Sequence, residues 1–211
     1  MAAGRRITLK QLDDALKEAS KDVDFRPVLK AIRLDVIAET RTNFDKGTDP
    51  DGKTWAPLKH PRVSSKGGDL PLRDFGMLAA SVTSPGSPGN IDESDEKSIL
   101  WGTNFEHGPI HQFGGVITPK VAKMLAIPAT REAQRIGSPR NWPDGQLEFS
   151  FGKKGGVAKN LRGEIQYYFA RSVSIPKRPF LGVTEEKAGE YSDWVVTHAA
   201  DEVAKRMTGG Q

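Results

Sequence analysis

Trp101-Gly102-Thr103-Asn104-Phe105-Glu106-His107-Gly108-Pro109-Ile110-His111-Gln112-Phe113-Gly114-Gly115 sets four glycines and a proline among one tryptophan and two phenylalanines. The run entering it, Ser98-Ile99-Leu100-Trp101, is short and apolar and suits a buried strand. Gly102 is expected to end that strand, because glycine tolerates the backbone angles of a turn. Pro109 and the glycines at 108, 114 and 115 limit any helix between them to about two turns. A stretch this costly in backbone entropy, yet carrying Phe105, Ile110, His111 and Phe113, is expected to be held in one shape by packing, as a rigid corner.

Upstream of the corner, Val28, Leu29, Ile32, Val36, Ile37, Thr40 and Phe44 recur every three to four residues, with Lys30, Arg33, Asp35, Glu39 and Arg41 on the other side. That is an amphipathic helix of about four or five turns, with Pro27 suited to its first turn. An earlier helical extension is expected within residues 1–24, where Thr8 to Gln11 has capping-box form and Leu9, Leu12, Leu16 and Ala19 follow at helical spacing. Gly47 to Leu58 carries turn chemistry that should bury Trp55 and Leu58. Its aspartates invite comparison with a calcium loop, but the closing glutamate is missing and Pro50 sits inside. Ser64 to Gly68 reads as a mobile surface segment, Leu72 to Val82 as a short helix running into a strand, and Asp92 to Glu96 as an acidic tip.

Downstream, Val121 to Ile127 reads as a strand closed by Pro128, and residues 131–145 read as a loop around Trp142. Leu147, Phe149 and Phe151 alternate as in a strand, Gly152 to Gly156 is a turn, and a longer return strand follows. Ile165, Tyr167, Phe169, Val173 and Ile175 share one of its faces, and Gln166, Tyr168, Ala170, Ser172 and Ser174 the other. This predicts a basic-tipped hairpin arm over residues 146–178. Two prolines stiffen the connector Pro176 to Gly182. Thr184 is a good N-cap for a last helix opened by Glu185 and Glu186. Tyr191, Trp194, Val195, His198, Ala199, Val203 and Met207 mark its buried side, and Gly209-Gly210 ends it. The fold class expected is α+β, one domain over residues 1–211. A mostly antiparallel sheet is packed by the long helix of the N-terminal half and by the C-terminal helix, with a projecting basic hairpin.

With 211 residues the chain can bury a sizeable core, and its 31 lysines and arginines against 27 acidic residues make it only mildly basic. The distribution says more. Residues 151–180 hold seven basic side chains against one glutamate, whereas residues 181–211 hold three basic and six acidic ones. Such polarity favours head-to-tail contact between copies, or contact with a polyanion. There is no cysteine, which excludes disulfides, thiolate metal sites and cysteine nucleophiles. No stretch approaches the ~20 apolar residues of a membrane span, and the N-terminus has no apolar export core, so a soluble protein made without export is expected.

Chemistry finds little footing. His107 and His111 are four apart, but Gly108 and Pro109 argue against a regular helix between them, and only His60 and His198 could add imidazoles. The serine nucleophile motif, the Walker loop and the dinucleotide fingerprint are absent. Lys153 and Lys154 at a glycine-rich tip could touch phosphates, with Lys159 and Arg162 nearby, or simply keep a hairpin solvated. Tyr167 and Tyr168 could stack bases, yet one of two adjacent strand residues ordinarily faces the core.

Taken in order, Phe44 to Lys46, Gly52 to Leu58, Leu72 to Val82, Trp101-Gly102-Thr103, Ile110-His111-Gln112-Phe113-Gly114 and Pro176 to Gly182 resemble the virion-morphogenesis or tail-completion family of tailed bacteriophages. The resemblance covers most of residues 26–205. It implies a non-enzymatic structural protein without cofactor or metal, found in the neck or tail of the virion and assembled in the host cytoplasm. Such a protein forms a ring of six copies between the head–tail connector or stopper proteins and the tail tube protein, with double-stranded DNA passing through the lumen and no membrane involved. The residues it marks as interface or shape-determining are Trp55, Trp101, Gly102, His111, Gln112, Phe113, Gly114, Arg178, Pro179 and Phe180. Lumen or DNA contact would fall to Lys153, Lys154, Lys159 and Arg162. Two parts depart from the family pattern: residues 129–163 are longer than expected, and Asn104 to His107 stand where a small residue or tyrosine is usual. The arm is expected to lie across a neighbour or line the lumen, with the tip at 92–96 and the last helix as its acidic partners. A basic nucleic-acid-binding module using residues 146–178, and a hydrolase with an unrecognised site, are the alternative readings.

Overall fold

The computed structural model describes residues 21, 23–58, 70–153 and 155–208, with residues 207 and 208 described by backbone alone. The expected N-terminal helix, the segment at Ser64 to Gly68, His60, Lys154, the side chain of Met207 and the terminal Gly209-Gly210 lie outside the described residues.

Helix α1, Arg26–Lys46, has Pro27 in its first turn, where a missing N–H costs nothing, and buries Val28, Ile32, Val36, Ile37, Thr40 and Phe44 as its periodicity requires. Gly47 stops it in the left-handed region at φ 71°, where a side chain would be strained. The following turn folds back so that Trp55 N–H donates to Gly47 O at 2.8 Å. Trp55 is buried and Leu58 half-buried.

Helix α2, Met77–Thr83, does not run into a strand as expected: it continues to Thr83. The Ser81 and Thr83 hydroxyls donate to the carbonyls of Leu78 and Ala79, each at 2.8 Å, and Val82 packs against Phe44 and Trp55, so helical spacing wins. Strands β1, Asn90–Ser94, and β2, Ile99–Thr103, form an antiparallel hairpin; of the expected acidic tip, Asp92 to Ser94 are strand residues of β1 and only Asp95 and Glu96 lie in the turn. Gly102 does not end β2 as expected: it sits inside the strand opposite Ile91, because pairing continues to Thr103 opposite Asn90.

The corner contains helix α3, Gly108–Phe113, which Gly108 and Pro109 permit after all because the proline occupies the first turn. Strand β3, Gly115–Ile117, leaves it. Strand β4, Leu125–Pro128, is shorter than the Val121–Ile127 run, since only from Leu125 onward does a partner strand lie opposite. Residues 131–145 are not a plain loop. Thr130 caps helix α4, Arg131–Ile136, by accepting from Ala133 N–H at 3.1 Å, and a 3-10 turn follows at Pro139–Asn141.

The arm differs most from expectation. Strand β5, Leu147–Phe151, pairs not with the 165–175 run but with an unforeseen strand β6, Gly156–Asn160. Strand β7, Ile165–Ala170, then pairs with β6 on one side and β4 on the other, giving an antiparallel sheet in the order β4-β7-β6-β5. The small residues of β6 hid it in the sequence and are required by the packing: a Cβ at Gly156 would lie 2.3 Å from the Phe151 ring. The long return strand is broken after Ala170, and strand β8, Val173–Ile175, leaves the sheet to pair with β3. Tyr167 and Gln166 are both buried although they alternate in direction. The Tyr167 hydroxyl donates to Ala133 O at 3.0 Å, and the Gln166 side-chain Oε1 accepts from the Thr130 hydroxyl.

The last helix, α5, Glu185–Thr208, starts where expected, with Thr184 Oγ1 accepting from Lys187 N–H at 3.2 Å. Tyr191 is its buried anchor, whereas Trp194 is 37% exposed and only edges against the Tyr191 ring. The class is α+β, but among the described residues the strands form three antiparallel sheets rather than one. Three apolar clusters are formed by the described residues. Phe44, Trp55, Leu72, Val82 and Phe180 form one; α1 and α5 share a second through Val28, Ile32, Val36 and Tyr191; the arm has its own, in Ala133, Ala158 and Tyr167.

Candidate assembly surface

The residues singled out in the sequence at the corner and the connector meet in one place. Gln112 points from α3 at the connector and satisfies three backbone groups of it. Its Oε1 accepts from the N–H groups of Phe180 at 3.0 Å and Leu181 at 3.1 Å, and its Nε2 donates to Leu181 O at 2.8 Å. Next to it, Arg178 N–H donates to His111 O at 2.8 Å. The connector has two prolines without N–H groups, so its extended backbone cannot be held by a strand ladder, and a side-chain amide supplies the bonds instead.

Arg178 is 5% exposed, and its guanidinium donates through Nε to Ala56 O at 2.7 Å and through a terminal nitrogen to Pro57 O at 3.0 Å. A lysine could not span two carbonyls with that planar fork. Trp55 Nε1–H donates to Pro179 O at 2.8 Å, and Phe180 packs on the Phe44 ring, which itself meets Trp55 edge-on. Gly114 closes the corner with φ 72°; a Cβ there would be 2.8 Å from Lys177 N. Trp101 lies in the neighbouring cluster with α1 and donates to Val82 O at 3.3 Å. The strand position of Gly102 is buried beside it.

This knot is mostly internal. Of the residues marked for interface or shape, Phe113 is the one that stands out into solvent, at 73% exposure, and Val116 and Ile117 of β3 are exposed as well. A second apolar surface lies on the arm, which sequence reasoning did not single out. Phe149 and Phe151 stack with their rings 7° from parallel, lean on Phe169, and remain more than half exposed. Beside them a groove of about 660 Å³ runs between Pro119–Ala126 and Ser138–Leu147, with Phe149, Phe169 and Trp142 in its lining and Lys120, Arg140 and Asp144 at its edge. The alternation Leu147, Phe149, Phe151 was the available signal, but α4 and the 3-10 turn that cover only part of that face were not foreseen.

The basic residues of the arm are not gathered into one patch. Lys153 sits in the turn between β5 and β6, and Arg162 in the turn between β6 and β7, at the opposite end of the sheet, with Lys159 near it. Of the acidic tip, Asp92 is tied into the body by a two-pronged ion pair with Arg33, whose hydrogen bonds hold the carboxyl below its ordinary range. Asp95 accepts from the Lys97 and Ser98 N–H groups, which likewise lowers it. Glu93 and Glu96 remain as exposed carboxylates. Between α1 and α5, Lys187 meets Glu190, Asp35 and Glu39 and its ammonium is strongly raised, while burial and the Asp35 hydrogen bond raise the Tyr191 phenol.

His107 is exposed just ahead of α3, and the His198 ring nitrogen meets Asp24 O at 2.7 Å. Among the described residues no three histidine or acidic side chains gather as metal ligands, and no helix is long and apolar enough to cross a membrane. A model of the phage virion morphogenesis family matches residues 7–199, a span that runs through the corner, the arm and the connector. The chain belongs to the phage virion morphogenesis family. No curated protein and no solved structure matches it. Membership gives it a structural or assembly role in building a phage virion. In this virion morphogenesis protein the motif residues form an internal brace, and the side chains open to partners lie beside that brace and on the arm.

Proposed function

We propose that this protein closes into a ring at the head–tail junction or the tail end, completing the tail and joining it to the head. Six copies is the number the family resemblance implies. Its neighbours are then the tail tube protein on one side and connector or stopper proteins on the other, and double-stranded DNA crosses the lumen. The observation that carries this reading is the pairing of a rigid brace with two unlike apolar surfaces on separate elements. One lies about Phe113 at the corner; the other is the arm face of Phe149 and Phe151. A subunit of a closed ring must present different surfaces to its neighbours and to the tube, and a brace keeps the angle between them constant. Exposed apolar area of this kind is characteristic of a contact surface. Native mass measurement and particle images of the purified protein, alone and with tail tubes, test it. Discrete rings that cap tube ends are expected; a monomer at every concentration that never associates with tubes would refute it.

A further inference from the structure

We infer that the phenylalanine face of one copy's arm docks on the outer face of α5 of the adjacent copy, a contact that rests on the ring reading above. The arm is an appendage with its own core. It leaves the body through β3 and returns through β8, so its sheet can reach a neighbour without disturbing the two body clusters. Phe149 and Phe151 are 53% and 59% exposed at the sheet's outer strand β5, whose far edge pairs with nothing among the described residues. An open, apolar edge of this kind is a liability unless something covers it.

Charge selects the occupant. Residues 118–172 carry ten lysines and arginines against four acidic side chains, while 185–208 carry three against six. Opposite the buried Tyr191, helical geometry puts Gly189, Asp193, Val196 and Ala200 on one outward stripe, with Glu186 beside it. All five are exposed, and Val196 is 66% so. Glu186 and Asp193 have no ion-pair partner among the described residues, and neither has Lys153 at the end of the Phe149–Phe151 strand. Small residues let a sheet face approach the helix closely. Val196 then meets the two rings while Lys153 faces Asp193 and Glu186. The same surface cannot pair with itself, since arm against arm is basic against basic, so the contact is head-to-tail.

The chain has no cysteine, which makes disulfide trapping clean. In the full-length protein, Phe151→Cys combined with Val196→Cys should give, under mild oxidation, a ladder of covalent multimers on a non-reducing gel, and neither single variant should. Dimers from F151C alone would show arm-to-arm packing and overturn the inference. A reduced double variant that assembles to the wild-type size but yields no ladder would overturn it while leaving the ring reading intact; wild type that stays monomeric would remove both. As a second measure, Lys153→Glu and Asp193→Lys should each raise the protein concentration for half-assembly roughly fivefold, the upper range for an exposed ion pair. The two together should restore it. If K153E assembles normally and loses only retention of a DNA duplex, the arm faces nucleic acid and the inference falls.

Discussion

Replacing Gln112 by alanine tests the brace at its centre. The amide makes three hydrogen bonds to connector backbone, at 2.8, 3.0 and 3.1 Å, to groups of Phe180 and Leu181 that have no strand partner. A net value of about 1 kcal/mol for each gives a loss of about 3 kcal/mol, because the backbone groups stay in place while their partner is removed. For a chain of this size that corresponds to a fall in Tm of roughly 6–12 °C. Urea unfolding followed by tryptophan fluorescence measures it, and Trp55, bonded to Pro179 O, reports on the connector directly. Gln112→Glu separates the contributions. It keeps an acceptor for two N–H groups but sets a carboxylate oxygen against Leu181 O, so it should fall between wild type and alanine. A Gln112→Ala protein within about 0.5 kcal/mol of wild type would show that water replaces the amide freely and that the brace reasoning is wrong.

Phe180→Ala, which empties a site 1% exposed in the cluster with Phe44 and Trp55, should cost about 3–5 kcal/mol in the same assay. Gly114→Ala should cost clearly more than Gly52→Ala. Both have positive φ, but only at Gly114 does a Cβ approach backbone, at 2.8 Å; the control should lose roughly 1 kcal/mol by strain alone. Arg33→Met should lose about 1–3 kcal/mol at pH 7 through the pair with Asp92. Arg33 depresses the folded pKa of Asp92, so this stability is present above the unfolded value of about 4 and vanishes as pH falls through the folded value. The gap between wild type and variant should therefore close in acid, and an equal gap at pH 3 and pH 7 would contradict the assignment.

The local chemistry of the chain was enough to place α1 and α5. Each is written in signals that act within a few residues: the spacing of Val28 to Phe44, and Thr184 ahead of two glutamates. The ordered motifs also sufficed for the family. What they could not convey is that Gln112 and Arg178, 66 positions apart in the chain, serve one connector, because a side-chain amide aimed at remote carbonyls leaves no periodic trace. The arm was misread for the same reason. Strand pairing is settled by which neighbour lies opposite, so β6, with Gly156 and Ala158, emerged only when Phe151 and Tyr167 closed over it. Local periodicity determined the two long helices. Tertiary packing decided the partners of every arm strand, buried the motif residues as a brace, and left Phe113, Phe149 and Phe151 facing outward, because burial depends on what the rest of the chain brings alongside.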